Sequence, residues 1–254
     1  MCLHCRRLTT DRAPQSVHTA FQKARRAESG YAARLRKIAR HVADIVGMFD
    51  PNEARAALLI RSALERYAQA IDPWAQSAAR LMVAEVAKRD EASWNEVAAK
   101  MGRAIGSEIR SAPTGEVMRR LMAEQVTLIK SLPLEAAQRV HDLAIKGIET
   151  GMRADQIAQE IMRTGEVTRS RANLIARTEV GRAATTLTQA RAEHIGSTGY
   201  LWRTAKDSDV RKSHRAMAGT FVEWDKPPTL DNLTGHAGAL PNCRCYCEPV
   251  IPDD

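Results

Sequence analysis

Along the first three-quarters of the chain, apolar residues return every three or four positions. Tyr31, Leu35, Ile38, Val42, Ile45 and Phe49 form one such series, which places them on a single helix face. The helical pattern starts at Ser16. "DPNEA" at 50–54 ends the first helix and opens another, since proline is tolerated in a first turn, and Leu58, Leu64, Tyr67 and Ile71 continue the apolar side. "DPW" at 72–74 repeats the device. The pattern from Trp74 to Ile105 is long, with a break expected near Lys88–Ser93, and "SAPTGE" at 111–116 signals a loop. Two further helices fit 116–131 and 134–149, punctuated by Pro133 and Gly151. A short helix fits 154–163 and a longer one about 168–195.

After "HIGSTG" the pattern changes. "YLWRTA", "TFVEW" and "CRCYCEPVI" are short, β-prone and rich in aromatic or β-branched residues. Between the first two, "DSDVRKSHRAMAG" reads as a short helix with Asp207 as N-cap and Gly219 as its stop. Residues 226–242 are rich in Pro, Gly and Asn and read as loop. The expected fold is therefore mainly α: a loose basic N-terminus over 1–15, a helical body over 16–198, and a small α+β module with a short antiparallel sheet over 199–254.

Composition agrees with helix: aromatics make up only 4% of 254 residues, while Ala, Leu, Arg and Glu are frequent. Charge adds more. Residues 1–40 hold ten Lys/Arg against Asp11 and Glu28, the whole of the net charge of +8; the remainder balances at 28 against 28. Such an arm attracts polyanions, nucleic acid first and an acidic protein surface second; the plain alternative is a solvated basic helix face. Arg6, Arg7, Lys23, Arg25, Arg26, Arg34, Arg36, Lys37 and Arg40 are the candidate contacts to DNA or to such a surface. No apolar run reaches the ~20 residues of a membrane helix, and "MCLHCRRLTTDRAPQ" lacks the apolar core of a secretory signal. Both features suit an intracellular setting with reduced thiols.

Three of the five cysteines stand at alternate positions: Cys243, Cys245 and Cys247. On a strand this spacing points all three to one face. Thiolates bind Zn²⁺ well, and His214 or His236 could complete a set of four ligands. The spacing differs from the C-x₂-C of zinc fingers, so plain burial of three small apolar residues is the competing reading. Cys2, His4 and Cys5 form a second, terminal group. A further stripe joins Asp207, Arg211, His214 and Ala218 on one helix face, readable as an ion-paired face or as an acid–base site. In "LIARTEVGRAATTLTQARAEHIG", Arg177, Glu179 and Arg182 crowd a helix start, and Ala176, Gly181, Ala183 and Ala184 permit close packing. Arg177 and Glu179 lie two apart and face different ways, so each is expected to pair with another segment. No phosphate loop, G-x-G-x-x-G or H-E-x-x-H is present.

The order of these pieces resembles the phage Mu F-like minor head proteins, also called phage head morphogenesis proteins. The matching residues are Ala176 to Glu179, then Trp202, Thr204, Asp207, Val210, Arg211, Ser213, His214 and Gly219, then Pro241, Asn242, Cys243, Arg244 and Cys245. The resemblance covers about residues 150–250; Cys247 extends the family's cysteine pair to three. It implies a virion protein, assembled in the host cytoplasm, that acts in head morphogenesis near the portal vertex, in few copies and in contact with packaged DNA. Implied partners are the portal protein, the major capsid or scaffolding protein, and double-stranded DNA held through its phosphates irrespective of sequence. Arg177, Glu179, Trp202, Asp207, Arg211, His214, Asn242, Cys243 and Cys245 would then be structural, with no catalytic residue and no cofactor beyond one structural zinc. Two other readings stay open: a metal-dependent nuclease or other hydrolase using His214 and the cysteines, and a DNA-binding protein with no capsid role.

Overall fold

The structure, a computed structural model, describes residues 25–50, 53, 55–101 and 103–251. Arg6, Arg7, Lys23, the side chain of Arg25 and the "MCLHC" group lie outside the described residues. The described elements are α1 (Arg25–Gly47), α2 (Ala56–Ala70), α3 (Asp72–Met101), α4 (Arg103–Ser111), α5 (Thr114–Thr150), α6 (Ala154–Met162), α7 (Thr164–His194), β1 (Gly199–Thr204), α8 (Lys212–Ala216), β2 (Phe221–Glu223), β3 (Thr229–Leu230), β4 (Leu233–Thr234) and β5 (Cys245–Val250). The mainly helical fold with a small C-terminal antiparallel sheet is thus as expected.

Packing divides the chain into two compact units. One, the helical unit, takes Ser29–Leu81 and Met122–Ala176; the other, the sheet unit, takes Met82–Leu121 and Arg177 onward, with the start of α1 as far as Glu28. The expected module over 199–254 is thereby grouped with parts of α3, α4 and α7.

In the helical unit, periodicity accounts for most of the burial. Tyr31, Leu35, Ile38 and Val42 are buried as their spacing requires, and Val46 continues the stripe while Ile45 and Phe49 are only half-buried. The Tyr31 hydroxyl donates to Gln125 Oε1 at 3.0 Å, satisfying two polar groups inside an apolar layer. Helix α5 overturns the expectation of two helices at 116–131 and 134–149, because Pro133 sits inside one continuous helix. An interior proline costs about 3 kcal/mol. Ile129, Leu132 and Val140 are wholly buried around it, and at about 1.5–3 kcal/mol for each large aliphatic side chain their burial outweighs that cost.

In the sheet unit, α3 runs unbroken through Lys88–Ser93, where a break was expected. Asp90 and Ser93 share the buried face of this helix with Val86, Trp94 and Val97. "SAPTGE" proves to be a two-residue joint, Ala112–Pro113, before α5 starts at Thr114, and α7 starts at Thr164, earlier than expected. The three-stranded sheet has the order β2-β1-β5, antiparallel throughout. Its register sets Trp202 opposite Cys247 and Thr204 opposite Cys245. Residues directly opposite share a face, so Tyr200, Trp202, Thr204, Cys245 and Cys247 all point into the core. Trp94, Val97 and Ile109 from α3 and α4 complete that core.

Two expectations for this region fail. The helix predicted from Asp207 is the five-residue α8, whose N-cap is Arg211, so Asp207 and Ala218 share no helical stripe with His214. Residues 226–242 are not all loop: β3 and β4 form a hairpin whose turn, Asp231–Asn232, has φ of 51° and 63°. Both central residues in the left-handed region make the mirror-image turn that suits a two-residue hairpin, and Asp and Asn tolerate it best after glycine.

Candidate functional site

The second half of α7 organises the sheet unit. Thr178, Gly181 and Thr185 recur at helical spacing and all meet the segment that precedes Cys243. The Asn242 N–H donates to Thr178 Oγ1 at 3.1 Å. Thr185 Oγ1 donates to the Ala237 carbonyl at 2.6 Å. Between them, a Cβ added at Gly181 would lie 2.6 Å from the Gly238 carbonyl oxygen, so only glycine lets the two backbones come this close. Gly238 itself has φ +86° and Asn242 φ +54°, which turn the loop toward β5. Farther along α7, Arg191 Nε donates to Asp90 at 2.7 Å and its Nη1 to the Ile109 carbonyl at 2.9 Å, while Thr188 donates to the other Asp90 oxygen at 2.7 Å. Burial pushes the Asp90 carboxyl up to about 6, against the pull of Thr188 and Arg191.

The "ARTE" segment is divided by this arrangement. Arg177 pairs with Glu28 at 3.1 Å, another segment as expected, whereas Glu179 pairs with Arg182 at 2.7 Å on its own helix. The small residues of α7 and the "ARTE" segment were legible in the sequence, but the run of Thr178, Thr185 and Thr188 as one contact face was passed over. Their spacing of seven and then three was the available signal.

His214 reaches the sheet from α8. Its ring is 1% exposed and stands edge-on to Trp202, with centroids 5.6 Å apart. Nδ1 lies 3.3 Å from Cys243 Sγ and 3.6 Å from Cys245 Sγ. Nε2 faces outward, 3.5 Å from Arg211 Nη1 and 3.9 Å from Asp231 Oδ2. Arg211 also donates to the Pro241 carbonyl, and Ser213 Oγ donates to Asp231 at 2.9 Å, so α8, the hairpin turn and the pre-β5 loop are tied at one point. Asp207 serves the same junction differently: it pairs at 2.6 Å with Arg244, which also pairs with Asp209.

Of the predicted ligands, His214, Cys243 and Cys245 come together, their donor atoms all within 4.8 Å of one another. Cys243 precedes the strand and arrives through the loop rather than on the strand face. Cys247 is elsewhere in the core, its thiol directed at the Ala237 carbonyl at 3.5 Å. His236 is also apart, hydrogen-bonded at 3.2 Å to the Tyr200 hydroxyl and edge-on to Trp224. A hydrogen bond from Cys245 holds the Cys243 thiol below the ordinary thiol range, and the same bond, with burial, pushes Cys245 up. Burial pushes Cys247 and Tyr200 up and His236 down. The wholly buried Trp202 makes no regular hydrogen bond through its indole nitrogen. That nitrogen lies beside Cys245, where it favours the thiolate.

Among the basic positions that are described, Arg26, Lys37 and Arg40 are exposed; Arg34 and Arg36 are half-buried, and Arg36 donates to Asn173. No described helix is long and apolar enough to cross a membrane.

Part of the chain is similar to known proteins. Residues 138–248 match the family described as "Phage Mu protein F like protein". An uncharacterised protein of Haemophilus influenzae is 31% identical over 151 residues, covering 59% of this chain and 33% of that protein. Minor head protein GP7 of Bacillus phage SPP1 is 26% identical over 169 residues, covering 59% of this chain and 53% of GP7. The NAD(+)--arginine ADP-ribosyltransferase EFV of Enterococcus faecalis is 30% identical over 128 residues, covering 46% of this chain and 26% of that enzyme. The chain thus spans between a quarter and about half of the length of these relatives. No solved structure matches it.

Proposed function

We propose, from the Phage Mu F-like region that the chain carries over residues 138–248, that this is a minor head protein of a tailed phage. It acts in head morphogenesis, as part of the virion, and not as an enzyme. The similarity to the SPP1 minor head protein carries this reading. The residues of the matched motif support it in kind: Arg177, Asp207 and Arg211 hold backbone or neighbouring charges in place within the sheet unit, and the Asn242 backbone is held by Thr178. The match to the ADP-ribosyltransferase takes in a quarter of that enzyme and is no argument for transferase chemistry here.

The finer reading places the protein at the portal vertex, with the portal protein as principal partner, the major capsid or scaffolding protein as a further one, and packaged DNA in contact with the basic residues of 1–40. Exposed Arg26, Lys37 and Arg40 suit such contact, because phosphate binding needs charge without base recognition. Co-purification with the portal protein, followed by DNA binding at two salt concentrations, tests it. The full chain is expected to bring down portal and to bind duplex DNA with an affinity that falls steeply with salt. Equal DNA binding after deletion of residues 1–40 removes the arm from the account. Divalent-ion-dependent plasmid cleavage that His214→Ala abolishes would replace the head reading with the nuclease.

A further inference from the structure

We propose that His214, Cys243 and Cys245 bind one zinc ion, and that the ion fastens α8 and the pre-strand loop to the edge of the C-terminal sheet. The site is defined by the geometry of these three side chains, whatever the role of the protein in head assembly.

A tetrahedral zinc held at the usual bond lengths, about 2.3 Å to sulfur and 2.0–2.1 Å to nitrogen, sets each nitrogen–sulfur pair about 3.5 Å apart. His214 Nδ1 stands 3.3 Å from one sulfur and 3.6 Å from the other. Both nitrogen–sulfur distances therefore match ligand spacing, and the three donor atoms all lie within 4.8 Å of one another. The three ligands come from separate places: α8, the loop before β5, and the first residue of β5. An ion there would close a loop of about thirty residues on itself, which is how a small module with little core of its own gains stability.

The surroundings point the same way. Metal-bound thiolates accept hydrogen bonds from nearby N–H groups, and such outer contacts fix the ligands. The Gly238 N–H is directed at Cys243 Sγ at 3.4 Å. The Trp202 ring stands edge-on to His214, with centroids 5.6 Å apart, and packs the imidazole in place. With Nδ1 on the metal, Nε2 would carry the proton and turn it toward the Asp231 carboxylate at 3.9 Å, while Arg211 Nη1, 3.5 Å from Nε2, would give its own proton to the same carboxylate, 3.8 Å away, instead of to the imidazole. Plain burial accounts for Cys247, which meets only the protein interior. It does not account for an imidazole nitrogen shared between two thiols. A nucleophilic dyad would need one thiol on that nitrogen and an approach for substrate, whereas here two thiols converge on it inside the core. The fourth position is left to water or to a donor brought in on assembly, on the side of Cys243, the most exposed of the three at 9%.

The full chain, purified from cells grown with zinc and kept reduced, is examined by native mass spectrometry and elemental analysis. The expected result is one zinc per chain. After chelation, titration with cobalt should give the sulfur-to-cobalt charge-transfer band, saturating at one equivalent. Cys243→Ser, Cys245→Ser and His214→Ala should lose the ion, and Cys247→Ser should keep it. The wild-type mass decides the matter even if the ligand variants do not fold. A folded wild-type chain with the metal-free mass and no cobalt band overturns the proposal, as does a Cys243–Cys245 disulfide whose reduced form takes up no metal. Loss of zinc in Cys247→Ser to the same degree as in Cys243→Ser would overturn the ligand assignment.

Discussion

The two compact units are held by different forces. In the helical unit the interior is largely aliphatic, with the Tyr31–Gln125 pair, Thr164 and Thr168 as its buried polar groups, and its ion pairs, such as Arg61–Glu65 and Arg171–Glu135, lie at the surface. In the sheet unit the interior is threaded with polar groups: Asp90, Thr185, Thr188, Arg191 and His214 are all buried, and each holds a group from a distant part of the sequence. A helix bundle needs only amphipathic stripes, because its backbone satisfies itself. A small sheet with long loops leaves backbone and side-chain polar groups inside, and these must find partners across the chain.

The largest test of this contrast is Arg191→Met. It leaves Asp90 buried without its cation and should destabilise the protein by about 3–5 kcal/mol in denaturant unfolding. Adding Asp90→Leu to it should recover part of that loss, since the unpaired buried charge is gone while the Thr188 hydroxyl loses its acceptor. Gly181→Ala comes next: its Cβ would press on the Gly238 carbonyl, and forcing the backbones apart should cost about 1–3 kcal/mol. Thr185→Val keeps the shape but leaves the Ala237 carbonyl only the weak Cys247 thiol at 3.5 Å, for a loss of about 1 kcal/mol in the same assay. The smallest effect is expected in the helical unit, where Arg171→Ala removes a solvent-exposed pair and should change stability by less than about 1 kcal/mol. An Arg171→Ala loss as large as that of Arg191→Met would erase the distinction between the units.

The same contrast explains what could be read in advance. Because helix burial is a local property of sequence, periodicity found the buried stripe of α1 as far as Val42. After that Val46 takes the place of Ile45, and Phe49 falls past the end of the helix. It misread Lys88–Ser93 as a break because Asp90 and Ser93 look like surface residues until Thr188 and Arg191, a hundred positions away, are brought beside them. Pro133 misled for a related reason: its local cost is visible, while the burial that offsets it is not. The β3–β4 hairpin was legible in "TLDNLT", where Asp-Asn stands between matching Leu and Thr, but its richness in loop formers hid it. At the site, alternate spacing correctly put Cys245 and Cys247 on one strand face. It could not separate them, because that depends on where His214 arrives. His214 arrives beside Cys245 and Cys243, the latter carried in by a loop whose path is set by Thr178, Gly181 and Asn242.

The claim that the protein builds phage heads is tested most directly by cross-linking mass spectrometry on purified procapsids. The account predicts that the chain is present in far fewer copies than the major capsid protein, with cross-links to the portal protein. Procapsids that assemble and fill normally without the chain, or cross-links confined to the capsid lattice away from the portal, would contradict it.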